Sequence, residues 1–275
     1  MSVLIKDGPG RAWTAGLEYA VSLKLFRVAV AVQAALANNH GRESHQVVII
    51  FHDRRQAGRA LAQIIRDELY EQPSPKDAVV LGLPRGGVPV AFEVARELHL
   101  PLDIFIVRKL GVPGQEELAM GAIASGGVVV LQSDVIGAYR IREETLNAII
   151  ARERIEIERR EIAYRRGRPP ASLAGRTVIL VDDGLATGSS MKAAVRALGP
   201  IARRVVVAVP VAAAGTCEEL RGEVDQVICV ESPDPFHSVG EFYRNFDQTS
   251  DAEVRALLAQ AWRASDGLRP ASSLR

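Results

Sequence analysis

The residues best suited to chemistry lie together at 178–190, where Val178-Ile179-Leu180-Val181 runs into Asp182-Asp183-Gly184-Leu185-Ala186-Thr187-Gly188-Ser189-Ser190. Four apolar residues read as a buried strand, and open α/β sheets bind ligands outside the carboxyl ends of such strands. Two carboxylates stand at that end. The small residues after them let a backbone approach an anion closely. Free N–H groups where a helix starts near Met191, with the hydroxyls of Thr187, Ser189 and Ser190, make a cradle for a phosphate monoester. Each such dipole contact contributes about 0.3–2 kcal/mol, so several together give useful affinity. Carboxylates beside a phosphate repel it unless they address hydroxyls or a metal. Asp182 and Asp183 therefore point to a sugar phosphate, with the loop taking the phosphate and the acids taking ribose hydroxyls. Thr187 to Ser190 alone would equally serve as a helix cap. The whole stretch of strand, acids and loop carries the ligand reading.

Three further segments have matching chemistry. Leu83-Pro84-Arg85-Gly86-Gly87 follows an apolar run at 78–83 and precedes a helix pattern. Such a turn presents backbone N–H groups and a guanidinium to a diphosphate, although a plain strand-to-helix turn has the same composition. Val107-Arg108-Lys109-Leu110 ends another strand pattern and enters a Gly/Pro loop at 111–117. The chain has five lysines (Lys6, Lys24, Lys76, Lys109, Lys192) within a Lys+Arg total of 34, so Lys109 beside Arg108 hints at a task for a compact charge. A solvated basic pair is the plainer account. Glu116 and Glu117 follow in that loop, Glu117 as a candidate base or as polar loop surface. Last, the segment 232–243 contains Phe236, His237, Phe242 and Tyr243 after the final strand pattern. Aromatics there, Phe236 and Phe242 above all, either stack on a flat base or pack the core. His52, beside Asp53 and Arg54, lacks metal-ligand spacing.

The segment 178–190 resembles the phosphoribosyl-diphosphate (PRPP) motif of the type I phosphoribosyltransferases: four apolar residues, two acids and a short Thr-Gly phosphate loop. The resemblance spans residues 47–248 and implies PRPP binding through Asp182, Asp183, Ala186, Thr187, Gly188, Ser189, Ser190, Arg85, Gly86, Arg108 and Lys109. It assigns the 5′-phosphate to 187–190 and the ribose 2′- and 3′-hydroxyls to Asp182 and Asp183. Arg85-Gly86 would form the pyrophosphate loop, Arg108-Lys109 a loop closing over the diphosphate, and 232–243 a hood with Phe236 and Phe242 against the base. The cofactor implied is Mg²⁺, held indirectly by Asp182 and Asp183 through ribose or water. Ser189 departs from the glycine frequent in the family. Ala186 stands where hypoxanthine–guanine enzymes carry an Asp as candidate base, so Leu185-Ala186-Thr187-Gly188 is similar instead to the adenine type. Phe51-His52-Asp53-Arg54 and Phe242-Tyr243 resemble a subgroup of phosphoribosyltransferase-like proteins whose acceptor these residues do not identify.

The implied activity is transfer of 5-phosphoribosyl from Mg·PRPP to a nitrogenous base, a purine ahead of others, with release of pyrophosphate. Lys109, Arg85, Asp182, Asp183 and Glu117 are the catalytic candidates. The alternative is a regulator on the same fold that senses PRPP or a nucleotide without chemistry. A generic nucleotide binder is disfavoured, because neither the Gly-Lys-Ser/Thr phosphate loop nor the Gly-x-Gly-x-x-Gly fingerprint occurs.

The elements that must position these residues alternate. Residues 54–70 have helical spacing at Ala57, Leu61, Ile64, Ile65 and Leu69, after a short apolar run at 47–51. Strands are expected at 78–83, 102–107, 177–181, 204–209 and 226–230, with helices between them, and a strand pair at 119–124 and 128–131 across Ser125-Gly126-Gly127. The charge-dense run 142–166 reads as a solvated helix laced with ion pairs three and four apart. This rhythm implies right-handed crossovers and an α/β fold, a mostly parallel central sheet flanked by helices with a small hood. Residues 1–46 form an N-terminal extension that could dock a partner or complete a homodimer. Residues 47–248 form the phosphoribosyltransferase-like domain, and 249–275 a C-terminal helix whose last dozen residues fray.

The chain of 275 residues has 48% hydrophobic and 24% charged residues, an ordinary globular composition. Lys+Arg 34 against Asp+Glu 33 leaves a net charge of +1, which argues against nucleic acid or an acidic membrane as partner. Cys217 and Cys229 match no zinc or redox spacing, and a reducing, cytoplasmic setting is expected. The apolar stretch at 17–37 contains Glu18, Lys24 and Arg27, so it reads as an amphipathic helix and not as a span or leader.

Overall fold

The computed structural model describes residues 49–69 and 77–267. The expected extension at 1–46 and its amphipathic helix lie outside these. In chain order the elements are α1 (Arg54–Leu69), β1 (Ala78–Gly82), α2 (Gly87–Leu98), β2 (Leu102–Ile104), β3 (Val107–Val112), β4 (Gln115–Ala124), β5 (Val129–Leu131), α3 (Ser133–Ala138), α4 (Glu143–Arg165), β6 (Thr177–Val181), α5 (Ser189–Leu198), β7 (Arg204–Val211), α6 (Ala214–Arg221), β8 (Gln226–Glu231) and α7 (Asp251–Gly267).

Five parallel strands form the central sheet in the order β2-β1-β6-β7-β8. Every residue of β1 and β6 is buried, as continuous apolar runs require in the middle of a sheet covered on both faces. The two-residue pleat divides them between two cores. Val80, Ile179 and Val206 pack with Leu61, Ile65, Val94 and Leu258 from α1, α2 and α7. Val79, Leu81, Val178, Leu180 and Val207 pack with Met191, Ala194, Leu198 and Leu220 from α5 and α6. Ile49, Phe51, Phe242 and Tyr243 form a third, smaller cluster with Val211, which is the hood beside the sheet's carboxyl edge.

The second sheet is antiparallel, in the order β3-β4-β5, and includes the pair expected across Ser125-Gly126-Gly127. Two details differ from the sequence reading. The strand expected at 102–107 breaks: Phe105 N still donates to Gly82 O of β1, whereas Ile106 N and O pair with Ser125 Oγ and N, so the chain changes sheets there. Both halves are apolar, since Phe105 and Ile106 enter different cores, so hydropathy shows no break. The loop at 111–117 is a tight hairpin, with Pro113-Gly114 as its turn and Gly114 at φ +78°. A side chain at Gly111 would meet Glu116 O at 2.6 Å, so the bulge there needs glycine.

Helix α4 carries the expected pairs Arg159–Glu156, Arg160–Glu156 and Arg165–Glu161. Helix α7 continues into the dozen residues expected to fray. Val254, Leu257 and Leu258 are buried, and Trp262 Nε1 donates to Leu102 O at 2.9 Å. Of the apolar run at 47–51, the described part makes a single bridge, Phe51 with Tyr243, and no strand. Among the described residues no helix is long and apolar enough to cross a membrane.

Candidate functional site

Strand β6 delivers Asp182 and Asp183 to the carboxyl edge of the sheet, between β1 and β7. Leu83 N donates to Val181 O at 2.9 Å and Leu185 N to Val211 O at 2.9 Å, so neighbouring strands hold both ends of the acidic turn. Gly86 and Gly87 press against it. A Cβ on Gly86 would lie 2.1 Å from Asp183 Oδ2, and one on Gly87 would lie 2.8 Å from Asp182 Cα. The Pro84–Arg85 peptide is cis, and α2 begins at Gly87. The structure thus brings Arg85-Gly86 and the two acids together.

The loop then reaches α5. Gly188 has φ +63°, and its carbonyl accepts from Lys192 N at 2.8 Å. Thr187 Oγ1 and Ser189 Oγ are 3.0 Å apart, and Thr216 Oγ1 of α6 donates to Ala186 O at 2.6 Å. Ala186, Thr187 and Ser190 are exposed and Ser189 is half-buried. Thr187, Ser189 and Ser190 thus stand at the start of α5, where the first N–H groups of a helix are free to meet an anion.

Burial pushes the Asp182 carboxyl well above the usual range, and the charge of Asp183 pushes it further. Asp183 is raised by burial too, with Arg54 opposing. Asp182 Oδ1 accepts the Asp183 backbone N–H at 2.9 Å. Among the described residues no cluster of three potential metal ligands occurs. Two carboxylates, one already engaged by arginine, suit a cation held mainly by ligand oxygens and water, as Mg²⁺ commonly is.

The other candidate residues are less concentrated. Lys109 lines a cavity of about 160 Å³ together with Ser189, Lys192 and Arg196, so its side chain shares a space with the start of α5. Lys192 pairs with Glu219, and Arg196 with Glu223 at 2.9 Å. Arg108 turns the other way: its Nε donates to Glu153 of α4 at 2.7 Å. Arg85 Nη1 lies 3.9 Å from Asp251 Oδ1, at the first turn of α7. Glu117 is exposed on β4. Phe236 stacks on Phe242 with centroids 5.5 Å apart, and Phe242 is buried in the hood cluster. His52 is exposed and sits 3.1 Å from Asp53, whose Oδ1 accepts Gln56 N at the start of α1.

Sequence reasoning missed the hood's grip on Asp183. Arg54 Nε donates to Asp183 Oδ2 at 2.8 Å, and Tyr243 Oη donates to Asp183 O at 2.5 Å. The signal was present in Phe51-His52-Asp53-Arg54 and Phe242-Tyr243, but nothing in either segment says that both close on Asp183.

A family model for the phosphoribosyl transferase domain matches residues 50–246. Two Mycobacterium tuberculosis proteins that carry a provisional phosphoribosyl transferase name are each 49% identical over 217 residues, 78% of this chain and 47% of theirs. The chain thus spans about half the length of these curated relatives. Among solved structures, TT1426 of Thermus thermophilus is 42% identical with a TM-score of 0.69, over 77% of this chain and 99% of that one.

Proposed function

The chain belongs to the phosphoribosyl transferase domain family, and from that premise we propose that it transfers a 5-phosphoribosyl group from Mg·PRPP to a nitrogenous base, a purine preferred. The observation that carries this reading is the meeting of the acid pair with the Arg85-Gly86 turn, seen in the close approach of Gly86 to Asp183 Oδ2. In this reading Thr187, Gly188, Ser189 and Ser190 bind the 5′-phosphate, Asp182 and Asp183 hold the ribose hydroxyls, and Arg85-Gly86 faces the diphosphate.

Breaking the bond between C1 and pyrophosphate leaves positive charge on the ribose and negative charge on the leaving group. Donors and cations aimed at that negative charge in a water-poor site supply the catalysis. Arg85 and Lys109 are the cations available for this. Bound Mg²⁺ would neutralise diphosphate charge, with Asp182 and Asp183 holding it through ribose hydroxyls or water. Phe236, half-buried, is the aromatic we assign to the base, whereas Phe242, buried and stacked on it, supports Phe236. Glu117 is the remaining candidate base.

A second reading, a PRPP or nucleotide sensor, draws on the hairpin. Its turn is only Pro113-Gly114, and Arg108 is tied to Glu153, so little chain is free to close over a diphosphate. Pyrophosphate release from Mg·PRPP against a panel of purines, pyrimidines and pyridines separates the two. The transferase reading expects base-dependent release that Lys109→Ala and the Asp182→Asn/Asp183→Asn double variant abolish. Asp183→Asn alone should weaken Mg·PRPP about tenfold, ~1.4 kcal/mol. Retained PRPP binding without release under any base gives the sensor, and Lys109→Ala then leaves binding intact. No binding at all refutes both.

A further inference from the structure

We propose that Arg54 is the positioning residue for the sugar end of the site, holding the Asp183 carboxylate in the orientation that receives a ribose hydroxyl. This rests on the phosphoribosyl reading and adds to it a residue outside the PRPP motif.

Arg54 stands at the first position of α1, 129 residues from its partner in sequence. Its contact is built and sheltered: Arg54 Nε to Asp183 Oδ2 is 2.8 Å, and the side chains are 12% and 15% exposed. The guanidinium is held on two other sides. Nη1 donates to Asp247 O at 2.7 Å, and the plane lies over the Phe246 ring at 3.9 Å from its centroid. Phe246 stacks on Tyr243 at 4.9 Å, and Tyr243 packs against Phe51 at 5.7 Å. Tyr243 Oη in turn donates to the Asp183 carbonyl.

Asp183 is thereby gripped from the hood through side chain and backbone, while the Gly86 turn also crowds Oδ2. The consequence is preorganisation. A carboxylate whose plane is already set loses little freedom when a hydroxyl docks, so more of the contact appears as affinity. Arginine suits the task and lysine does not. A planar fork can hydrogen-bond a carboxylate edge-on while its face rests on an aromatic ring, and an ammonium has neither geometry. The phosphate cradle at 187–190 is made by other residues, so Arg54 should matter to ligands with the sugar and not to the bare anion.

Calorimetric titration of the full chain with inorganic phosphate, ribose 5-phosphate and Mg·PRPP tests this on Arg54→Gln, Arg54→Lys and Tyr243→Phe. For Arg54→Gln the expectation is about tenfold or greater weakening for both sugar ligands, with phosphate within about twofold of the unaltered protein. Arg54→Lys should fall between the two. Equal weakening for all three ligands, or none for the sugar ligands, overturns the assignment. If Arg54→Gln does not fold, Tyr243→Phe decides the matter. It keeps the ring and removes one grip on Asp183, so a loss of about threefold confined to the sugar ligands supports the proposal and no loss refutes it. An unaltered protein that binds phosphate but neither sugar ligand refutes the phosphoribosyl reading itself.

Discussion

At Gly86 the demand for glycine is one of space and not of backbone angle. Its φ and ψ are −60° and −35°, which any residue adopts, yet a Cβ there would sit 2.1 Å from Asp183 Oδ2 and 2.7 Å from Asp183 Cγ. The carboxylate cannot swing away freely, because Arg54 holds the same oxygen. Gly86→Ala must therefore displace the acid or the turn. We expect Mg·PRPP affinity to fall about tenfold, ~1.4 kcal/mol, in a titration. An alanine variant with unchanged affinity would mean that the close contact of turn and acid has no part in binding. Gly188 differs in kind: it combines φ +63° with a Cβ position 2.6 Å from Thr216 Cγ2, so both backbone and packing require glycine there.

Among the elements, α4 shows what a sequence can and cannot disclose. Its extent and its surface ion pairs follow from alternating Arg and Glu, because neighbours three and four apart meet on any helix. Strands β1 and β6 are equally legible, since short, nearly unbroken apolar runs rich in valine fit strands buried on both faces. The thirteen residues around Asp182 suggest a sugar phosphate loop in the sequence because charge, hydroxyls and small residues all occur locally, and the structure places them at the end of β6 and the start of α5. What could not be read is pairing across long separations. Arg165 ends α4 looking like another surface arginine, yet it is 6% exposed, with Nε 3.1 Å from Asp103 Oδ1 and Nη2 donating to Ile104 O at 3.0 Å. Asp103 Oδ2 also accepts Ala171 N at 2.8 Å, so one buried ion pair ties α4, β2 and the segment before β6 together. Removing one partner strands a buried charge. Arg165→Met should cost about 3–5 kcal/mol in urea unfolding, with much of it recovered in the Arg165→Met/Asp103→Leu double variant. An additive double variant would refute the coupling.

Across the whole molecule, the candidate site is closed by chain segments from both ends of the matched domain. Phe51 N donates to Phe242 O, and Arg244 N and Asn245 N donate back to Phe51 O and His52 O, so residues 51–52 run beside 242–245 like a two-stranded clasp. The clasp lies on the third cluster, where Phe51 is 2% exposed and Tyr243 is 6% exposed. From it Arg54 and Tyr243 reach Asp183. Folding of the hood and readiness of the proposed sugar site are therefore one event in this architecture, whereas the proposed phosphate cradle is built on the central sheet, α5 and α6. Phe51→Ala separates the two. Loss of a fully buried phenyl ring should cost about 3–5 kcal/mol if the hood unfolds with the sheet. If the hood instead opens alone, the main urea transition stays in place, amide exchange accelerates at residues 240–247, and ribose 5-phosphate binds more weakly with phosphate binding preserved. We expect the second pattern. The hood cluster is small, meeting the sheet at Val211 and Val230 and α1 at Ala57 and Ala60, while the two larger cores on either face of the sheet hold most of the buried apolar residues.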